Sequence, residues 1–264
     1  MKVEFVFSDE EIALIKNMVD KGINSGRKFI EYRLTGNVHG TQPPHLIDDN
    51  LLWKTMVMCL LTTQQRSGPG SSINQFLNTS PFPLSLDVCR KENNLNDYVI
   101  EILSKVKGIR RYKRIAKAIT HNLKLLDDNN WVNIYSWRDK LLLQRAEEPI
   151  QTHRPLEEEA SNYVDGFHEF GPKQSRNFWQ SLGLTRYVFV LDGRVIKWLN
   201  KNLDLQKGVI NSQTLSNYDG YQFASHLLVD LCQRADILPC ILDAVIFDSF
   251  DEVQGREWVE DVIM

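Results

Sequence analysis

Two residues in the second half of the chain have the type and placement that covalent chemistry needs. Lys173, in "HEFGPKQSRNFWQSLG", follows a Gly-Pro pair and falls in the first turn of a predicted helix. A cation there opposes the helix dipole, so helix stability does not account for it. Desolvation together with that dipole favours the uncharged amine, which is a nucleophile. Asp192, in "YVFVLDGRVIKWL", emerges from an apolar run at the start of the next helix. A carboxylate there can steady positive charge that develops opposite the amine. Each residue also has a plainer reading. Most lysines are solvated surface residues, and aspartate is a preferred N-cap, although capping and catalysis are compatible.

The elements that must position this pair read as helices. "PLEEEASNYVDGF" (155–167) predicts a helix with proline in its first turn and acids after it. "HEFGP" leaves room only for a tight turn, and "KQSRNFWQSL" predicts a second helix ended by Gly183. Free amides at the start of that second helix offer an anion site, for which a DNA phosphate is one candidate. Upstream, Ser8 with Asp9, Glu10 and Glu11 reads as a capping box, and "GRKFIEYRL" as a second helix. A boundary is expected near residue 46, after the loop "TGNVHGTQPP". "DDNLLWKTMVMCLLTTQQ" is apolar almost all round and predicts a buried central helix. Further helices are expected over 72–78, 95–107, 110–126 and 135–146, and through most of 186–264. "VEFVF" at 3–7 is the one segment with a strand-like pattern. The predicted fold class is all-α.

Composition narrows the function classes. The chain has 264 residues, 42% hydrophobic and 25% charged, with a net charge of −3. Those values fit an ordinary globular protein and argue against a general nucleic-acid coat, though not against a local basic cleft. The four cysteines form no CxxC pair, which excludes the usual zinc, iron–sulfur and disulfide frameworks. No run of 18 apolar residues and no signal-peptide core occur, so a cytoplasmic protein without a membrane partner is expected. The most basic segment, 105–117, carries Arg110, Arg111, Lys113 and Arg114 beside an apolar face. Such a run is either a solvated face or a phosphate-binding one.

With these residues in view, "FGPKQSRNFWQSLG…VFVLDGRVIKWL" resembles the helix-hairpin-helix motif, Gly/Pro loop and following aspartate of the DNA glycosylase superfamily that includes endonuclease III. The pattern is most similar to that of the archaeal-type 8-oxoguanine DNA glycosylase/AP lyases. "CLLTTQQ", "GIRRYKRIAKAI" and "ILDAVIFDSF" resemble other family segments in the family's order, so the likeness runs over roughly 47–255. The resemblance implies a helical bundle at 47–185, with the hairpin at 155–182. It also implies a second subdomain built from 1–46 and 186–264, with a DNA-binding cleft between the two. It implies Lys173 as Schiff-base nucleophile and Asp192 as its carboxylate partner. It implies DNA contacts from Gln64, Gln65 and Arg66 at the gap left by a flipped base, although these side chains equally suit a helix cap. Contacts are implied likewise from Arg110, Arg111, Lys113, Arg114, Phe170, Gly171, Pro172 and Gln174. The hairpin of such proteins often holds a monovalent cation through carbonyls; no other cofactor or metal is expected.

Asp243, acidic on an otherwise apolar helix, either has a partner or faces the base pocket. The expected partner is double-stranded DNA with a damaged base or abasic site, and the expected state is a monomer. Departures from the family pattern are Glu169 in place of the hairpin's first glycine, where it would repel phosphate, and Gly193-Arg194 after the aspartate. A glycosylase for another damaged base, and a non-catalytic hairpin that grips DNA or protein, remain as alternatives.

Overall fold

Ser8 starts the first helix as its sequence predicts. Its hydroxyl accepts from the Glu11 amide, and the Glu11 carboxylate accepts from the Ser8 amide in return. The computed structural model describes residues 5–63, 65, 68, 70–203 and 210–250. Every regular element among them is helical. The helices are α1 (Asp9–Ile23), α2 (Lys28–Arg33), α3 (Asp49–Leu61), α4 (Ser72–Leu77), α5 (Leu86–Lys91), α6 (Leu95–Ser104) and α7 (Tyr112–Leu125). After them come α8 (Trp131–Arg145), α9 (Arg154–Val164), α10 (Pro172–Ser181), α11 (Gly193–Asn202), α12 (Ser212–Ser216), α13 (Tyr218–Ala235) and α14 (Pro239–Ser249).

The described part of the 3–7 segment, residues 5–7, forms no strand. Phe5 and Phe7 instead lie half-buried or peripheral against α13, with Phe5 edge-on to Phe223 at 5.4 Å. Without a second strand to pair with, an alternating apolar run has nothing to propagate a sheet. Helix α5 falls in a stretch where no helix was expected, and α2 is continued by a wider π turn over Leu34–Val38.

Buried apolar side chains fall into two clusters. One runs from Ile47 to Leu184 and is built by α3–α10, with Trp53, Leu60, Phe178 and Trp179 at its centre. Both of those indoles find carbonyl acceptors, Leu84 for Trp53 and Ala160 for Trp179, each at 2.9 Å. The other takes α1, α2 and α11–α14, and includes Ile15, Phe189, Tyr221, Leu228 and Leu242.

The two clusters are joined through hydrogen bonds that end on backbone. Asn37, 0% exposed, donates to the carbonyls of Gln180 and Thr185 at 2.9 Å each. Arg33 donates to the same Gln180 carbonyl at 2.7 Å, and Arg145 to those of His39 at 2.8 Å and Gln42 at 3.1 Å. Helix α10 therefore ends in a fully satisfied Schellman turn. The Leu184 amide reaches the Trp179 carbonyl at 3.0 Å, and the Gly183 amide reaches that of Gln180 at 3.1 Å.

Gly183 has φ +75°, and a Cβ there would lie 2.2 Å from the backbone oxygen of Gly36. Gly183→Ala is expected to destabilise the chain by about 2 kcal/mol or more, from left-handed strain plus a backbone clash. Urea unfolding of the variant against wild type measures this.

Candidate active site

Helices α9 and α10 pack side by side and are joined by the turn 165–171. Phe170 anchors that turn, edge-on to Phe167 at 6.3 Å and to Phe178 at 6.4 Å. From α7, Asn122 clamps the turn's backbone. Its amide group donates to the His168 carbonyl at 3.0 Å, and its oxygen accepts from the His168 amide at 2.7 Å. Gly171 is the N-cap of α10 and Pro172 its first residue, so Lys173 stands in the first turn with the free amides.

Glu169, where the glycosylase pattern has glycine, does adopt the left-handed backbone that glycine favours, at φ +63°. Its carboxylate is bound by Arg114 and lies 3.9 Å from Arg111. Arg111 is itself left-handed, at φ +57°, as the residue that opens α7.

Asp192 is the N-cap of α11. One oxygen, Oδ1, accepts from the amides of Arg194 at 2.7 Å and Val195 at 3.3 Å. The other, Oδ2, has the Arg194 Nε at 4.0 Å. The Arg194 guanidinium lies 3.7 Å over the Phe247 ring, which in turn packs on Phe29 at 4.8 Å.

Both residues line one cleft of about 1270 Å³ that draws its walls from the two clusters. Of the residues singled out in the sequence, Gln65, Arg110, Arg114, Phe170, Gly171, Pro172, Lys173, Gln174, Asp192 and Asp243 line it. Arg111 and Lys113 do not, and Lys113 is exposed on α7. Gln64 and Arg66 lie outside the described residues.

Gln174 is engaged inside, while Gln65 takes the helix-cap role its sequence also suits. Gln174 is 4% exposed, and its amide donates to the Cys59 carbonyl at 2.6 Å and to the Thr63 hydroxyl. Gln65 donates to the Leu61 carbonyl at 2.8 Å and accepts from the Arg110 amide, so it caps α3 and ties it to the approach to α7. The carbonyls at the end of α3 lack helical partners, and these side chains supply them.

For the monovalent cation, the turn's carbonyls at Phe167 and His168 already accept from the Phe170 amide and from Asn122. No group of three His, Cys, Asp or Glu side chains able to hold a metal occurs among the described residues.

Asp243 on α14 is the cleft's distinctive acid. It is 7% exposed, lines the cleft, and no hydrogen bond is formed by its carboxyl among the described residues. Burial pushes the carboxyl up to about 7, against the pull of Arg33; Asp192 adds to the rise, while Lys173 and Arg194 oppose it. Lys173 also acts on Cys59, whose thiol burial nonetheless drives up to about 12. Lys173, Asp192 and Arg194 are thus each within electrostatic reach of Asp243. Arg33, Arg194 and the Phe29–Phe247 pair were not readable from local sequence, because only tertiary packing brings α2, α11 and α14 to one wall.

No protein-family model matches the chain, and no curated protein matches it at a significant level. Solved structures do match. The 8-oxoguanine DNA glycosylase of Methanocaldococcus jannaschii is similar at 14% identity with a TM-score of 0.57, over 94% of this chain and 98% of that one. The 8-oxoguanine DNA glycosylase of Thermotoga maritima is similar at 14% identity with a TM-score of 0.56, over 94% and 99%. The chain shares their fold. The Methanocaldococcus jannaschii glycosylase/lyase bound to 15mer DNA containing 8-oxoguanine aligns with a TM-score of 0.51, at 14% identity, over 93% of this chain and 98% of that one.

Asp243 gives the site a pH signature. An acid whose folded value is raised, here to about 7, keeps its proton in the folded chain while the unfolded chain ionises. Its contribution to stability is full below the unfolded value of about 4 and is lost as pH rises through the folded value. Asp243→Asn should therefore gain stability relative to wild type as pH rises from acid to neutral. Thermal melts of both proteins across that range read the difference, and parallel curves would contradict it.

Proposed function

We propose that this chain is a base-excision DNA glycosylase with AP lyase activity, acting on double-stranded DNA that carries an oxidised base, 8-oxoguanine first. The observation that carries this reading is that Lys173 and Asp192 line one cleft, in a fold shared along nearly the whole chain with 8-oxoguanine DNA glycosylases. The division of labour is a bundle at 47–185 and a second subdomain from 1–46 and 186–264, working as a monomer.

The damaged nucleotide leaves the base stack and enters the cleft, because its sugar carbon is out of reach inside a duplex. The Lys173 amine attacks C1′ as the glycosidic C–N bond breaks, and the departing base takes the bonding pair and a proton. Asp192 helps take the lysine proton and steadies the positive charge on the sugar. Two amides hold its Oδ1, which leaves Oδ2 for that work. Opening of the sugar ring gives the Schiff base. Loss of a C2′ proton then expels the 3′ phosphate, which nicks the strand.

Asp243 faces the flipped base. With its carboxyl near 7, it can donate a hydrogen bond in one form and accept in the other. The α9–α10 pair acts as a helix-hairpin-helix grip, whose Phe170-Gly171-Pro172 backbone and first-turn amides receive a phosphate. Arg110, Arg111, Lys113 and Arg114 extend that grip, while Gln64, Gln65 and Arg66 border the gap in the duplex.

The deciding experiment is borohydride trapping on duplexes containing 8-oxoguanine or a preformed abasic site. A covalent adduct on both, lost in Lys173→Ala, is expected. An adduct on the abasic site alone keeps the lysine chemistry and moves the lesion to another base. No adduct on either, with DNA binding unchanged in the variant, reduces the hairpin to a clamp.

Glu169 supplies a second test, because its charge competes with phosphate for Arg111 and Arg114. Glu169→Gln should tighten duplex binding about three- to tenfold at low salt and steepen its salt dependence. Fluorescence anisotropy titrations at several salt concentrations measure both, and an unchanged or weaker affinity would rule out the competition.

A further inference from the structure

Two buried side chains behind the cleft connect its two candidate reacting groups. Arg176 on α10 is 0% exposed and Tyr221 on α13 is 1% exposed; neither lines the cleft. Arg176 donates through Nη1 to the Pro172 carbonyl at 2.8 Å, one residue before Lys173. Its Nη2 donates to Glu158 on α9, which also has Arg154 at 3.6 Å. The guanidinium lies 4.9 Å over the Tyr221 ring.

Tyr221 continues the path. Its hydroxyl donates to the Phe189 carbonyl at 2.8 Å and accepts from the Leu191 amide at 3.0 Å, one residue before Asp192. Residues 189–191 are buried or half-buried, non-helical and without a partner strand among the described residues, so this hydroxyl satisfies backbone groups that nothing else in the segment pairs. The path Pro172–Arg176–Tyr221–Leu191 begins and ends beside the two candidate reacting residues, and it passes from one hydrophobic cluster to the other.

We propose that Arg176 and Tyr221 are positioning residues that set the separation and aim of Lys173 and Asp192, acting through the Pro172 carbonyl and the Leu191 amide. The inference rests on the glycosylase/lyase reading above. A buried arginine is not needed to close α10, whose carbonyl ladder already does so. Its stacking on a tyrosine of the other cluster adds a second tie between the two walls, beside the Asn37 and Arg33 bonds. The guanidinium's planar fork suits this task, because it can bond a carbonyl and a carboxylate while one face lies on a ring.

The two ends of the path give different readouts. A preformed abasic site presents an aldehyde that Lys173 can attack without help in expelling a base. Excision of a damaged base needs the lysine and the aspartate in register. Tyr221→Phe keeps the ring under Arg176 and removes only the hydroxyl's hold on Phe189 and Leu191. It should slow single-turnover excision about tenfold or more while leaving trapping at the abasic site and duplex affinity within about twofold. Arg176→Lys releases Pro172 and should slow both reactions.

The assays use duplexes bearing 8-oxoguanine, other oxidised or alkylated bases, and an abasic site. A role in stability alone would lower both rates by the folded fraction, in proportion to active-site titration, and that result overturns the proposal. Equal excision by wild type and Tyr221→Phe overturns it as well. Wild type that traps on no substrate removes the underlying reading instead. Wild type active on the abasic duplex alone removes base excision, and with it the register that this pair is proposed to set.

Discussion

One non-helical run, from Leu184 to Asp192 with a bend at Arg186 and Tyr187, has to pass through the interior of an otherwise helical protein. It carries backbone amides and carbonyls that no neighbouring strand satisfies, and leaving such groups bare in a dry interior costs about 1–3 kcal/mol each. Side chains do what a sheet would do. Glu157 accepts from the amides of Arg186, Tyr187 and Val188 at 2.8, 2.7 and 3.1 Å. Asn37 takes the Thr185 carbonyl, Gln180 that of Val188 at 3.2 Å, and the Cys240 amide that of Arg186 at 3.0 Å. Tyr221 serves Phe189 and Leu191. The run ends at Asp192, so the placement of that carboxylate is inherited from every one of these bonds.

This solution brings charge into the core. Glu157 is 1% exposed, and burial pushes its carboxyl up to about 8 while the three amides and Arg186 pull the other way. Arg33, Arg145 and Arg186 are each 5% exposed or less. A buried charge left alone would be strongly unfavourable, and these arginines instead donate their Nη groups to main-chain oxygens, while Nε of Arg33 and of Arg145 is left without a partner among the described residues. Arg186 alone donates to the carbonyls of Asn37, Arg145 and Glu147. Burial, with Arg186 as a like-charged neighbour, lowers Arg145 to about 10, which still leaves it charged at neutral pH. Hydrophobic contact is tolerant of sliding, whereas a fork of hydrogen bonds onto fixed carbonyls is not. The seam between the clusters is thereby set in register, and the cleft that opens along it inherits that register.

Local sequence signals found the parts of this arrangement that are written in short motifs. Gly171-Pro172 marks the start of α10, Gly183 its Schellman end, and Asp192 the start of α11, because caps and turns depend on the residues beside them. The buried character of α3 was legible from its all-round apolar sequence. What failed to read depended on distant partners. Gln174 looks like a surface amide near a helix start, yet it turns inward to finish a carbonyl of α3, whereas the capping role of Gln65 was one of its two sequence readings. Arg176 and Arg186 look like ordinary charged positions until α13 and the non-helical run close over them. The strand-like spacing at 3–7 went the other way: its described residues 5–7 keep an apolar face that packs, but as irregular chain against a helix. Asp243 was ambiguous in sequence for a real reason, since only the cleft decides whether an acid on an apolar helix has a partner.

Glu169 shows how a departure from a motif can be absorbed. A non-glycine residue in the left-handed region is disfavoured by about 1 kcal/mol relative to glycine, and Arg111 faces the same penalty at the head of α7. The two strained positions lie on facing segments, and their side chains form part of one ion-pair cluster with Arg114. The Glu169 side chain is 18% exposed and that of Arg114 59%, so solvent screens this pairing from the arginine side. Asn122 adds two backbone hydrogen bonds at the adjoining residue. The turn is closed by charge and clamped by α7. The basic helix and the hairpin therefore behave as one unit, and the anion that neutralises its arginines is part of the chain itself.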